Sequence, residues 1–332
     1  MRSLIVRGFG IAVLGLTLAL ASQAAAPSAT PAKIDSNKLL PDDTEAVVAI
    51  NLKQLFESAL IKKIDKKDSD TDKVKKEIGF DPTKDLDSIV FAIPGAGNGE
   101  KALIIVNGTF DAAKLQAKAE EAIKAKSVQA KVHEVEDGKN KLKVYEFTNL
   151  GDLMKGLLYQ AAAAAGADSA AGGANPLAGI SLFAGFDQSV LLVSADKEQV
   201  VNGLKKATGS KKTELKSKEM KDLLTKIDAK RTVSLAILAS CIDKEAFESI
   251  TGGITVGSDV ETEINVNTKD EKAAKALRDP LEAFLQSWAG LFSRSIADVA
   301  KGIKLTVKDS SVKIKSTISE DAWKQILGLE DK

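Results

Sequence analysis

Along the last third of the chain, apolar and polar residues alternate with period two. Val260, Thr262, Ile264 and Val266 fall on one side of an extended strand, and Glu261, Glu263, Asn265 and Asn267 on the other. Ile303, Leu305 and Val307 alternate with Lys304, Thr306 and Lys308, and Val312 and Ile314 with Lys313 and Lys315. This alternation predicts an antiparallel sheet with one face on a core and one face wet. After Asp270 the period becomes helical: Ala274, Leu277, Leu281, Phe284, Leu285, Trp288 and Phe292 make one broad stripe, with Asp270 as N-cap. Pro280 inside the stripe predicts a kink, or a restart with Asp279 as cap.

The same order of patterns occurs earlier. An apolar strand from Ala46 to Leu52 leads into an amphipathic helix with Leu55, Leu60 and Ile64 facing a core. Strands follow at Ser88 to Ile93 and Ala102 to Val106, then a helix from Ala112 to Lys126 capped by Asp111. A hairpin from Leu182 to Val193 turns at Asp187-Gln188, and a helix runs from Lys197 to Lys206. The later series reads as strand Thr232 to Leu238, short helix Lys244 to Ile250, strand Ile254 to Val256 and strand Val260 to Val266. It closes with the long helix, a hairpin from Ile303 to Ile318 turning at Asp309-Ser310, and a helix from Asp321 to Leu327.

The predicted class is therefore α+β: antiparallel sheets covered on one face by amphipathic helices, with an internal duplication of a β-α-β-β-α-β-β-α unit. The first half spans 40–210 and the second 211–332. An insertion at about 129–178 holds a hairpin from Val132 to Phe147, turning at Asp137-Gly138, and the low-complexity run from Ala161 to Gly173. Two such halves predict a ligand or partner at the seam between them.

The amino terminus has a different pattern. Arg2 and Arg7 precede an uncharged apolar run, Ile11 to Leu20, and Ser22 and Ala24 occupy the −3 and −1 positions of an A-x-A-like site. That is the layout of a secretory signal peptide over 1–24, too short in its apolar part to span a bilayer. Ala25 to Leu39, rich in Ala, Ser, Pro and Thr, predicts a flexible tether. No later segment reaches the roughly 18 apolar residues of a membrane span.

Composition limits the partners. Hydrophobic residues make up 44% of the chain but aromatics only 5%, so the core is aliphatic. Loss of Arg2 and Arg7 takes Lys+Arg from 47 to 45 against 46 Asp+Glu, which leaves no long-range field to gather nucleic acid. Cys241 is the single cysteine, so no intramolecular disulfide forms, and it reads as a small buried hydrophobe after an apolar strand.

Chemical motifs fall away one by one. His133 is the only histidine, which rules out a multi-histidine metal site, and its strand pattern makes it a packed or solvated strand residue. Gly97-Asn98-Gly99-Glu100-Lys101-Ala102 has the letters of a dinucleotide loop, yet a strand follows where a helix N-terminus is required. Asp68, Asp70 and Asp72 mimic a calcium loop, but Lys73 stands where the turn needs Gly and Gly79 where it needs Glu. Ser194-Ala195-Asp196-Lys197 fits S-x-x-K without its companion motifs, and Ser194 or Asp196 serves better as a helix cap. No catalytic, cofactor-binding or metal residue is assigned. The remaining functional candidate is the wet sheet face, where Glu261 and Glu263 lie alongside Lys304, Lys308, Lys313 and Lys315.

Leu40-Pro41-Asp42-Asp43-Thr44, running into the strand to Leu52, resembles the start of a group of secreted bacterial proteins of unknown function. These share a signal peptide and an L-P-x-D-T lead into the first strand, and Gly79-Phe80-Asp81-Pro82 resembles them too. The resemblance implies an exported bacterial protein with an α+β fold and transfers no site residues. Together with the missing motifs, it makes the expectation a non-enzymatic envelope protein, periplasmic or extracellular, that binds a partner or serves a structural role. The alternatives are a carboxylate-based hydrolase of envelope polymers and a carrier holding an apolar ligand against the Phe284, Trp288 and Phe292 stripe. N-terminal sequencing of the protein from its host should begin near Ala25; an intact Met1 on cytoplasmic protein would overturn export.

Overall fold

Extended apolar runs dominate the folded chain. The structure, a computed structural model, describes residues 35–65, 81–95, 101–109, 117, 120–121, 130–138, 140–148, 181–187, 190–241, 245, 247–291 and 302–322. The signal peptide, most of the tether, the Asp68 to Asp72 run, most of the Gly97 to Ala102 loop and the Ala161 to Gly173 run lie outside these residues. So do nearly all of the helix after Asp111 and the C-terminal helix beyond Ala322.

Among the described residues there are twelve strands: β1 (Thr44–Asn51), β2 (Leu86–Pro94), β3 (Leu103–Gly108), β4 (Ala130–Asp137), β5 (Asn140–Phe147), β6 (Leu182–Asp187), β7 (Val190–Ser194), β8 (Val233–Leu238), β9 (Phe247–Val256), β10 (Val260–Thr268), β11 (Lys304–Lys308) and β12 (Ser311–Ile318). They form one sheet in the order β11-β12-β10-β9-β8-β1-β2-β3-β7-β6-β5-β4. The helices are α1 (Leu52–Glu57), α2 (Ala59–Asp65), α3 (Pro82–Asp85), α4 (Lys197–Ala207), α5 (Lys218–Leu224) and α6 (Glu271–Leu291).

This corrects the predicted fold class. The molecule is a large antiparallel sheet of twelve described strands with few helices, not a set of sheets covered on one face by helices. The physical reason lies in the inner strands. Every residue of β7 is buried, and β3 is buried at all but one position, so these strands have no wet face to alternate with. The alternation of β10 to β12 continues into β9 and β8 but is lost in β3 and β7. Where the two predicted halves meet, β1 and β8 pair as antiparallel neighbours, Val47 opposite Ala236 and Ala49 opposite Ser234.

Local corrections have local causes. The segment predicted as a helix to Ile250 is instead the start of β9, where Ile250, Thr251 and the glycines after them suit a strand between two neighbours. The helix after β1 breaks at Ser58, whose backbone is extended and whose Oγ accepts from the Ile61 N–H. Helix α5 was missed; Ser217 caps it by accepting from the Met220 N–H, and Met220 and Leu223 are buried. The α6 helix runs through Pro280 without a break.

The chain forms two compact units, one with β3 to β7 and the other with β1 and β8 to β12. In the first, Asp196 caps α4 by accepting from the Glu198 N–H, and Val200 and Leu204 are buried against the sheet. Lys206, near the end of α4, is buried and donates from Nζ to the Leu40 carbonyl. The hairpin of β4 and β5 turns as predicted, with Gly138 at φ +62°. In the second unit, Val266, Ala274 and Val312 form a core joined by Ile264, Leu277, Leu281, Val307 and Ile314. The apolar side of β10, β11 and β12 thus meets the first half of α6; the aromatic positions of that helix lie outside the described side chains.

Strand β9 depends on two glycines. A Cβ on Gly252 (φ +153°) would strike the Glu263 carbonyl, and a Cβ on Gly253 would strike the Val233 carbonyl and the Arg231 Cδ. Gly253→Ala is expected to cost about 2–4 kcal/mol by forcing the ladder apart. Gly257→Ala, whose Cβ would meet only the Asp259 carbonyl at 3.8 Å, should stay within about 1 kcal/mol of the parent in urea unfolding.

Candidate functional site

Strand register brings the candidate charges together on the second unit. Glu263 is paired with Lys315 on β12 and Gly253 on β9, and Lys315 is paired in turn with Lys304 on β11. The next row holds Thr306, Lys313, Asn265 and Thr251. A third contains Ser311, Asn267 and Ser249, where Asn267 Nδ2 donates to Ser249 Oγ (2.9 Å) and Ser311 Oγ donates to Asn267 Oδ1 (3.2 Å). Neighbouring rows lie about 6.8 Å apart along the strands, and neighbouring strands about 4.8 Å apart.

Glu263 is the centre of this face. Lys313 Nζ lies 2.8 Å from its Oε1, Lys315 Nζ 3.4 Å from its Oε2, and Arg231 Nη2 3.6 Å from the same Oε2. The sequence alternation found Glu263 and the lysines but not Arg231. That residue lies in the loop before β8, outside any periodic run, and its stem crosses β9 because Gly253 has no side chain there. Its Nη1 donates to the Gly253 carbonyl (3.1 Å), and its Nε lies 3.9 Å from Asp228 Oδ2.

The hydrogen bond from Lys313 is the main cause that holds the Glu263 carboxyl below its ordinary range, with Lys315 adding to it and burial opposing. Each of these partly exposed pairs is worth no more than about 1 kcal/mol. A carboxyl depressed in the folded state stabilises the fold above its unfolded pKa and loses that contribution as pH falls through the folded value.

The charges do not balance. Among the residues of these rows and the contacts of Arg231, the positive groups Arg231, Lys304, Lys308, Lys313 and Lys315 stand against the negative groups Glu261, Glu263 and Asp228, five to three. Lys304 and Lys315 stand directly opposite each other, and like charges at directly opposed positions are destabilising.

His133 Nε2 lies 2.8 Å from Glu146 Oε2, Ser181 Oγ donates to Glu146 Oε1 (3.3 Å), and the His133 bond is the main cause that lowers the Glu146 carboxyl. Ser194 Oγ accepts from the Asp196 N–H (3.0 Å), completing a turn before the α4 cap. Cys241 is half-buried rather than buried, its Sγ 3.9 Å from Glu45 Oε2. Asp187, beside the β6–β7 turn, has its carboxyl pushed up by burial alone. Tyr145, buried over Glu120, has its phenol pushed up, chiefly by burial. Among the described residues, no three His, Cys, Asp or Glu side chains gather as a metal site requires, and no helix is long and apolar enough to cross a membrane.

No family model matches the chain, and no curated protein matches it. Solved structures do match. One, described as "Structure of crystal form I of TP0453", is 9% identical, covers 90% of this chain and 99% of its own, and has a TM-score of 0.46.

Lys313→Ala should return the Glu263 carboxyl toward its ordinary range in a carbon-detected NMR titration, because the largest cause of its depression is removed. An unchanged Glu263 titration would show that the Lys313 contact does not hold it.

Proposed function

We propose that the chain is an exported, non-enzymatic protein of the bacterial cell envelope, and that the charged face of β9 to β12 is its interaction surface. The observation that carries this is the Lys304–Lys315 opposition beside the shared Glu263 carboxylate. A face kept only for solubility gains from mixed signs in opposed pairs, whereas this one retains a cross-strand repulsion that an anionic partner would relieve. Surfaces that bind commonly keep such locally destabilising arrangements. The signal-peptide pattern of the first 24 residues supports export, and the resemblance of the Leu40 to Leu52 segment to secreted bacterial proteins supports an envelope setting.

The residues that mimic catalytic motifs are otherwise engaged. Asp196 caps a helix, Ser194 closes the turn before it, and His133 is bonded to Glu146. Hydrolysis by paired carboxylates needs two acids with opposed pKa values. The raised Asp187 owes its shift to burial, with no neighbouring acid contributing.

Lys304→Glu tests the reading, because it turns a repulsive pair into an attractive one. The variant should be more stable than the parent by about 0.2–1 kcal/mol in urea unfolding. It should nevertheless recover less of the specific partner that the parent chain retains from an envelope extract. Equal recovery, or brisk turnover of a small substrate by the purified parent with no specific recovery, would overturn the proposal.

A further inference from the structure

We propose that the face binds an acidic polypeptide segment lying extended along β12, and that Glu263 is a built-in competitor for the cations which the segment's carboxylates displace. This rests on the face being the binding surface.

Glu263 shows the chemistry the cradle accepts. Only Lys313, at 2.8 Å, makes a contact of the length usual for a charge-assisted N–H···O bond. Lys315 and Arg231 share the other oxygen at 3.4 and 3.6 Å, so each has bonding capacity left for a second carboxylate. Arg231 is held in place by the Gly253 carbonyl and Asp228, which orients its fork without consuming its other donors.

The spacing selects the shape of the ligand. Lys313 and Lys315 project from one strand two residues apart, about 6.8 Å, which is also the repeat of alternate side chains in an extended peptide. A segment with an acid at every second residue would place successive carboxylates over successive cations. Thr306 and Asn265 flank Lys313 on the two neighbouring strands and offer both donors and acceptors. A peptide backbone presents both in alternation, whereas a polyphosphate chain presents acceptors alone.

The charge pattern points the same way. Glu261 and Glu263 interrupt the positive face, and the excess is only two charges, so a dense polyanion meets carboxylates as well as lysines. A sparse acidic peptide fits between them.

The test uses the full mature chain and a labelled peptide of alternating Glu and Thr, with inorganic polyphosphate and phosphatidylglycerol vesicles as parallel probes. Peptide binding should be salt-sensitive and should weaken about tenfold or more in Lys313→Glu/Lys315→Glu. Glu263→Gln, which removes the competitor, should tighten it several-fold, and Lys53→Glu, on the exposed side of α1, should leave it unchanged. Should the double variant fail to unfold cooperatively in urea, Glu263→Gln decides: tighter binding upholds the proposal and unchanged binding overturns it. Polyphosphate or vesicle binding that depends on Lys313 and Lys315, without peptide binding, overturns the acidic polypeptide and leaves the surface standing. If none of the three probes responds to the double variant, both are overturned.

Discussion

Two carbonyl oxygens press against β9, one from each neighbouring strand, at positions where only glycine leaves room. The Glu263 carbonyl of β10 approaches Gly252, and the Val233 carbonyl of β8 approaches Gly253. Without that close approach β10 would stand off from β9, and the rows of side chains it carries would lose their register with the loop before β8. The same missing side chain gives the Arg231 stem its path across the strand. A packing constraint in the backbone thus places a guanidinium beside a carboxylate thirty-two residues away in sequence.

The resulting face is polar, shallow and incompletely neutralised. One carboxylate serves three cations, and Lys304 on the edge strand β11 opposes Lys315 on its neighbour β12. Under this face the sheet is conventional: Val266, Val312 and Ala274 make a small aliphatic core, consistent with the low aromatic content of the chain. The rigidity of the ladder matters for function because flexible lysines gain definition from the fixed spacing of the strands that bear them.

The other unit uses similar charges for a different purpose. Asp137 accepts from Thr208 and Ser210 just past α4, tying the hairpin tip to the helix end. His133 and Glu146 bond diagonally across the β4–β5 pair, and Lys143 donates to Glu120 (2.6 Å) beside the buried Tyr145. These contacts hold elements together, and each has its acceptor and donor matched. The contrast with the unbalanced Glu263 cradle is what separates a structural charge from a candidate binding charge.

Much of the local structure was legible from the sequence because it depends on neighbours in the chain. Period-two alternation located β10 to β12, turn residues located the hairpins at Gly138 and Asp309, Asp270 was recognised as a cap, and the cap of α4 was narrowed to Ser194 or Asp196, of which Asp196 fills it. The charges of Glu263, Lys304, Lys313 and Lys315 were assigned to one wet face by parity alone. Parity says which side a residue faces but not which strand lies beside it. Only the tertiary structure decided that β1 and β8 pair, and that a single sheet stands where helix-covered sheets were expected. Only it could reveal Arg231, whose position depends on a carbonyl and a glycine in other strands. Hydrogen bonds between strand edges are the same for every sequence, so edge partners are chosen by the packing of the whole sheet, which no local pattern records.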